Sequence, residues 1–241
     1  MPNNHNKRAF VAGASGAIGE VFCQLLVADG WHVVGITRSY EKAARLQKMG
    51  VHPDVVDVFD RQALMQSVCS AEPDVVVHQL TDLPKTFTPE NMAAARVRNA
   101  RIREIGTQNL VDAAIASGAT RIVAQSIAFA YASGPLPYSE DAPLDVSEYS
   151  SVARLEQLVL ESGLDGIILR YGRLYGPNTW SSVPPEEAPV HVDAAADAAR
   201  LSMTRGSPGV YNIAEDEGTV TIAKARRELD WSPDFRVSRH T

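Results

Sequence analysis

Short apolar runs rich in β-branched residues alternate with amphipathic helical segments along most of the chain. The runs are residues 8–12, 32–37, 54–58, 74–78, 121–125 and 166–170. Parallel strands that are buried on both faces read as nearly continuous apolar segments, as Ile122-Val123-Ala124 does. The alternation therefore predicts an α/β fold, a Rossmann-type doubly wound parallel sheet with helices on both faces.

The rhythm changes after Arg170. Residues 176–189 are rich in Pro, Ser and Glu, and they precede a helical segment at 193–203, a short apolar run at 210–213 and a last helical segment at 222–229. A chain of 241 residues suits one compact unit. We predict a dinucleotide-binding Rossmann domain over residues 1–175 and a small C-terminal substrate lobe over residues 176–241, packed on it.

Composition narrows the classes of partner. The chain is 45% hydrophobic with a net charge of −6, which disfavours nucleic acid because nucleic-acid recognition needs a clustered basic surface. Cys23 and Cys69 are the two cysteines and indicate neither a metal site nor a disulfide framework. The N-terminus has no apolar secretory segment, and no apolar run reaches the ~18 residues of a membrane span. We expect a cytoplasmic protein with a small-molecule partner.

A glycine-rich turn, Gly13-Ala14-Ser15-Gly16-Ala17-Ile18-Gly19, follows the first apolar run and opens a helix. In such a turn the first glycine permits the tight bend, the second lets backbone amides approach a pyrophosphate, and the third permits close helix–strand packing. The positive end of the helix dipole also favours phosphate. The motif predicts dinucleotide binding through Gly13, Ser15, Gly16, Ala17 and Ile18; a glycine turn without a ligand is the alternative.

The second run ends at Thr37-Arg38-Ser39, where NAD-specific proteins usually carry an acidic residue for the ribose hydroxyls. A guanidinium there matches a 2′-phosphate, and Ser39 and Lys42 are placed to assist. These residues favour NADP(H) over NAD(H). The alternative is that Arg38 is merely exposed or stacks on adenine.

Together with the glycine turn, five further blocks follow in order: residues 57–60, 77–81, 106–110, 169–177 and 191–193. With these blocks the chain resembles the extended short-chain dehydrogenase/reductase family of NAD(P)-dependent epimerases and dehydratases. The resemblance implies that Asp57 and Val58 hold the adenine. It further implies that Gln79, Leu80 and Thr81 flank the ribose and nicotinamide, and that Tyr171, Gly172 and Arg173 line the nicotinamide end. Asp57 as a turn residue is an open alternative.

The chain departs from that family at the catalytic positions. Members usually use a Tyr-x-x-x-Lys pair with a Ser or Thr, but four residues after Tyr149 stands Ala153, and no lysine occurs between Lys85 and Lys224. Ser126 lies five residues before Tyr131 rather than four. Ser126 and Tyr149 are the catalytic candidates. Tyr131 is a reserve acid, with packing as its alternative role.

Two helical segments bear on the surface of the protein rather than on its cofactor site. Residues 91–117 contain Arg96, Arg98, Arg101 and Arg103, for which a solvated helix face is the favoured interpretation. The long helical segments at 91–117 and 149–161 are of the kind that pairs in family dimers, so a homodimer is possible.

The leading functional prediction is an NADP(H)-dependent oxidoreductase acting on a small carbonyl or alcohol substrate with non-standard catalytic residues. A non-catalytic NADP(H)-binding sensor or assembly protein is one alternative, because the lysine is absent and the tail is short. A non-redox isomerase or lyase that retains the cofactor is the other. Trp180 is a candidate for covering substrate, and Trp231 for packing.

Overall fold

The computed structural model describes residues 7–84, 86 and 88–238. Three strand–helix units lead to a fourth strand: β1 (Arg8–Ala12), α1 (Ala17–Ala28), β2 (His32–Thr37), α2 (Tyr40–Lys48), β3 (His52–Val55), α3 (Arg61–Ala71) and β4 (Val75–His78). Next come α4 (Pro89–Arg101), a π-helical turn (Ile102–Gly106), α5 (Thr107–Ser117), β5 (Arg121–Ile127), α6 (Val146–Leu160) and β6 (Asp165–Tyr171). The last elements are β7 (Arg173–Tyr175), β8 (Pro189–His191), α7 (Val192–Ser202), β9 (Gly209–Ile213) and a second π-helical turn (Ala225–Leu229).

Within the described residues, seven parallel strands form one sheet in the order β3-β2-β1-β4-β5-β6-β9. The chain reverses its direction of winding between β1 and β4, which are neighbours in the sheet. The crevice at the carboxyl ends of the strands at such a reversal is where ligands bind in open α/β sheets. The predicted doubly wound Rossmann-type sheet is confirmed.

The two faces of the sheet pack against different helices because side chains alternate along each strand. Ala9 and Val11 of β1 join a core with Phe22 and Leu26 of α1 and with the alanine-rich α7. The alternate residues Phe10 and Ala12 join a second core with Leu64 and Leu110, of α3 and α5. The sheet is thus covered on both faces, which holds its crevice rigidly.

Among the element boundaries that differ from the sequence prediction, two lie next to the crevice. The third strand ends at Val55 rather than at residue 58, because Asp57 accepts a hydrogen bond from the Phe59 amide (3.0 Å) and turns the chain. The predicted helix at 91–117 begins at Pro89, capped by Thr88, and is interrupted by the π-helical turn. Arg103 lies in this turn.

The C-terminal residues contribute both to the main sheet and to a smaller sheet beside it. The run at 210–213 lies within β9, which pairs with β6 at the edge of the main sheet. β7 and β8 form a separate two-stranded sheet, and the buried Trp231 donates a hydrogen bond to the Ala194 carbonyl (2.8 Å), in the packing role expected for it. The division into domains at residue 175 remains a prediction.

Candidate active site

Two adjoining cavities lie at the crevice, with volumes of about 260 and 770 Å³. Gly16, Gln79 and Thr81 line both of them. The smaller cavity also holds the predicted residues Gly13, Ser15, Arg38, Ser39, Asp57, Val58 and Leu80. The larger one holds the predicted residues Ala17, Ile18, Ser126, Tyr171, Gly172 and Arg173. The structure therefore gathers every predicted cofactor residue, and Ser126, around two adjoining spaces.

The three glycines of the turn are required for different reasons. Gly13 has a φ of +93°, and a Cβ there would lie 2.5 Å from the Gln79 carbonyl oxygen. A Cβ on Gly19 would lie 2.1 Å from the Gly13 carbonyl oxygen. A Cβ on Gly16 would instead meet protein only at 3.4 Å, an ordinary contact, and Gly16 lines both cavities. Protein packing requires Gly13 and Gly19, whereas only a ligand would require Gly16.

The start of α1 is suited to an anion. Gly16 is its N-cap residue and supplies no side-chain hydrogen bond, so the first amides of the helix are not capped by their own chain. These amides and the helix dipole favour a phosphate group. The turn therefore fits the pyrophosphate of a dinucleotide.

The side-chain amide of Gln79 lies where the two cavities meet, and one of its two polar atoms lacks a hydrogen-bond partner among the described residues. Its Nε2 donates to the Tyr171 hydroxyl (3.1 Å), while its buried Oε1 has no hydrogen-bond partner within the described ranges. Rotating the amide by 180° would exchange the two ends and leave the nitrogen unpaired instead. A buried polar group without a partner costs about 1–3 kcal/mol. A bound molecule with a polar group at this junction would remove that cost.

The smaller cavity has a basic end. The Arg38 side chain is 63% exposed and lies 3.6 Å from the Asp82 carboxylate. The Ser39 hydroxyl accepts a hydrogen bond from the Lys42 amide (3.3 Å) and so caps α2, and the Lys42 side chain lines the same cavity. Two cations and a helix N-terminus thus face the space where the second strand ends.

Ser126 belongs to a buried polar network. Its hydroxyl donates to Glu156 (2.6 Å), and the same carboxylate accepts two hydrogen bonds from the Arg170 guanidinium (2.9 and 2.7 Å). Burial opposes the charge of Arg170, but the hydrogen bonds and charge of Glu156 outweigh it and raise the pKa of the guanidinium. Because the Ser126 hydroxyl donates its proton to Glu156, its oxygen can act only as a hydrogen-bond acceptor toward the larger cavity.

Tyr131 lies in the same network and does not line either cavity. Its hydroxyl donates to Asn212 (2.6 Å) and accepts from Arg170 (2.9 Å), and its ring stacks on Tyr138. Burial raises the pKa of the phenol. These contacts favour the packing role over that of a reserve acid.

Tyr149 lies at a kink in α6, where its φ of −117° and ψ of 34° depart from helical values. The side chain is half-buried and lies outside the lining of both cavities. Burial raises the pKa of the phenol, the neighbouring Glu148 carboxylate raises it further, and Arg96 and Arg173 oppose both effects. Tyr149 is therefore a protonated group near neutral pH, and its catalytic role remains a prediction.

His78 is buried beside the site and has two partners. Its Nδ1 accepts from the Leu80 amide (3.2 Å), so its Nε2 carries the proton toward the Thr107 hydroxyl (3.0 Å). Burial, assisted by the charge of Arg103, lowers the pKa of the imidazole to about 4. His78 is therefore a neutral structural histidine.

Arg103 is a site residue that the sequence pattern did not predict. Four arginines were expected on one solvated helix face, but only Arg96, Arg98 and Arg101 of the four are exposed. Arg103 is half-buried in the π-helical turn and lines the larger cavity. Met92 and Asn99 line the cavity from the same helix, and their spacing from Arg103 (i, i+7, i+11) is the signal that could have found it.

No group of His, Cys, Asp and Glu side chains in the described part of the chain is arranged to hold a metal ion. None of the helices in that part is long and apolar enough to cross a membrane.

Comparisons with known proteins agree with this geometry. Residues 9–189 match the model of the NAD dependent epimerase/dehydratase family. The chain is 38% identical, over 87% of its length and 76% of the relative's, to a protein of a Streptomyces species named 3-diazoavenalumate denitrifying reductase. It is 27% identical, over 73% of its length and 53% of the relative's, to a Stigmatella aurantiaca protein named 4-hydroxy-2-methyl-3-oxo-4-farnesyl-3,4-dihydroquinoline-1-oxide ketoreductase. The chain thus spans about half the length of this second relative.

A solved structure shows the same fold at low identity. The Bordetella bronchiseptica enzyme WbmG, crystallised in complex with NAD, has a TM-score of 0.77 at 18% identity, covering 98% of this chain and 92% of that chain. The relatives named as reductases favour an oxidoreductase over the non-catalytic and non-redox alternatives. The chain belongs to the NAD dependent epimerase/dehydratase family and is an NAD(P)-dependent oxidoreductase of the extended short-chain dehydrogenase/reductase class.

Proposed function

We propose that the protein is an NADP(H)-dependent reductase of a small organic substrate, which binds in the larger cavity. The observation that carries the cofactor preference is the basic end of the smaller cavity, where Arg38, Ser39 and Lys42 meet. A guanidinium and an ammonium at this position complement a 2′-phosphate, and an acidic residue at the end of the second strand would repel it.

The chain's own residues have distinct tasks in this proposal. The turn around Gly16 binds the pyrophosphate, and Asp57 and Val58 border the adenine. Gln79 and Tyr171 orient the end of the cofactor that faces the larger cavity, where the unsatisfied Gln79 amide gains a partner. The bound nicotinamide supplies the hydride.

Proton delivery has two candidates. Tyr171 is buried, lines the larger cavity and accepts from Gln79, so its own O–H can point to a substrate oxygen. Tyr149 is the candidate retained from the sequence, and it would have to move toward the cavity to act. Burial raises the pKa of both phenols, so each is a proton donor rather than a base at neutral pH.

The direct test measures cofactor choice and turnover separately. Binding of NADPH and NADH is compared for the wild type and for Arg38→Ala by fluorescence titration, with the exposed Arg154→Ala as a control. We expect Arg38→Ala to weaken NADPH binding by about 10- to 100-fold, the usual size of a lost charged hydrogen bond, and to leave NADH nearly unchanged. Equal affinities of the wild type for both cofactors would contradict the preference, and tight binding without oxidation of NADPH by any ketone, aldehyde or diazonium substrate would contradict reduction.

A second candidate reaction is the reductive removal of a diazo group. The Streptomyces relative is named for it, and the larger cavity lacks a Tyr–Lys pair within its described lining. In that reaction the hydride forms a C–H bond to the ring carbon of an arenediazonium ion while the C–N bond breaks and N₂ leaves, so no proton is needed. Release of N₂ in a 1:1 ratio with NADPH oxidised, using 4-hydroxybenzenediazonium, would support it; NADPH oxidation by ketones alone would exclude it.

A further inference from the structure

The guanidinium of Arg103 has no hydrogen bond and no ion pair with any residue that the structure describes. Other arginines at the site have partners: Arg38 lies near Asp82, Arg170 is held by Glu156, and Arg173 lies 2.9 Å from Glu187. Arg103 is nevertheless half-buried, and burial lowers the pKa of its guanidinium. A partly desolvated cation without a counter-ion is costly, so a group outside the chain would gain by pairing with it.

The larger cavity presents this charge to its interior. Arg103 and Arg173 are the ionisable cations of its described lining, and that lining includes no acidic residue. Glu187 neutralises Arg173, whose guanidinium also stacks on the Phe129 ring at 4.5 Å. Arg103 is therefore the uncompensated charge of the described cavity wall, in a chain whose net charge is −6. A cation in this position favours a negative group in the cavity, in contrast to the overall charge of the protein.

The remaining wall is largely apolar. Leu83, Pro84, Met92, Phe129, Leu174 and Trp180 line the cavity. Such a wall suits a flat or elongated apolar body, and a guanidinium fork binds a carboxylate through two parallel hydrogen bonds. The π-helical turn places Arg103 here, and π-helical turns are frequent at functional sites.

We propose that Arg103 is the anion-binding residue of the substrate pocket and that the substrate is an aromatic or otherwise apolar carboxylic acid. This inference rests on the proposed function, since it names the class of substrate for the same cavity. A phosphate of the cofactor is the other source of a negative group, and the experiment separates the two.

The test uses the full chain saturated with NADP⁺ and measures binding of 4-hydroxycinnamate and of its primary amide by calorimetry. We expect the acid to bind at least about tenfold more tightly than the amide in the wild type, as a charge-assisted pair predicts. Arg103→Gln should abolish that difference, Arg103→Lys should restore part of it, and the exposed Arg154→Gln should keep it. NADPH binding to each variant is measured in parallel without the acid.

Each outcome decides the proposal. Loss of acid selectivity in Arg103→Gln with unchanged NADPH affinity supports it. Weakened NADPH binding in Arg103→Gln, with no effect on the acid, assigns the guanidinium to a cofactor phosphate and overturns it. Equal binding of acid and amide by the wild type also overturns it, even if NADPH binding and turnover establish the proposed reductase.

Discussion

The Ser126 hydroxyl lies 2.6 Å from Oε1 of Glu156 and donates its proton to that carboxylate. Both residues are almost fully buried, and Arg170 completes the group as a bidentate partner of the same carboxylate. The network joins β5, β6 and α6 behind the larger cavity. It places Ser126 by means of a buried charge pair rather than by packing alone.

Removing the carboxylate should therefore destabilise the protein strongly. Glu156→Gln leaves the buried Arg170 charge without a counter-ion, and such changes cost about 3–5 kcal/mol of unfolding free energy. Urea unfolding measures the loss. The matched control is Glu187→Gln, which breaks the exposed pair with Arg173 and should cost no more than about 1 kcal/mol. Similar losses of unfolding free energy in the two variants would contradict the larger contribution expected of the buried pair.

The glycine turn offers a second matched pair. Gly19→Ala would bring a Cβ to 2.1 Å from the Gly13 carbonyl oxygen and should destabilise the fold or prevent folding. Gly16→Ala meets protein only at 3.4 Å and should unfold at nearly the wild-type urea concentration, while losing NADPH affinity because the methyl group fills the phosphate site. Titration with NADPH and urea unfolding give the two readouts. Normal NADPH binding by Gly16→Ala would contradict the assignment of the pyrophosphate to this position.

Tyr149 can be tested through its pH dependence. Burial and the Glu148 carboxylate raise the pKa of the phenol, so it stays protonated through the neutral and mildly alkaline range. If it donates the proton in a ketone reduction, kcat should not fall between pH 7 and about 9.5, below the ordinary tyrosine pKa, and Tyr149→Phe should lower kcat by about 10²–10⁴-fold. Tyr138→Phe, away from both cavities, is the control. Nearly full activity in Tyr149→Phe with loss in Tyr171→Phe would transfer the role to Tyr171.

His78 should contribute to acid sensitivity. Its pKa is about 4 in the folded chain against 6.5 ordinarily, so between these values the unfolded state binds a proton that the folded state does not. The contribution is fully present above pH 6.5 and is lost as the pH falls toward 4, by about 3 kcal/mol at about 1.4 kcal/mol for each unit of pKa. Urea unfolding of His78→Gln at pH 7 and pH 4.5 should show a smaller loss than the wild type. The exposed His32→Gln is the control, and an unchanged loss in His78→Gln would contradict the assignment.

The sequence was sufficient where function depends on local order along the chain. Gly13, Gly16 and Gly19 follow the first strand at a fixed spacing, and Arg38 directly follows the second strand. The glycine turn and Arg38 could therefore be placed at the same edge of the sheet. The fold class followed from the alternation of strands and helices, because such an alternation has few packed solutions.

What the sequence could not give depends on irregular or long-range geometry. Arg103 shares a helix face with Met92 and Asn99, but only the packed structure shows that this face lines the larger cavity. The kink at Tyr149 is likewise not visible in the residue pattern, although it sets the direction of that side chain. The hydrogen bond from Ser126 to Glu156 joins residues that are 30 positions apart in the chain, and no spacing rule predicts such a contact.

The position of β9 has a consequence for the synthesis of the protein. β9 is synthesised after β6, with which it pairs at the edge of the sheet, so the earlier strands can assemble before β9 is available. During that interval the apolar β6 presents unpaired backbone groups, which invite association with other nascent chains. Hydrophobic association weakens on cooling, so expression at low temperature should raise the soluble yield of the recombinant protein.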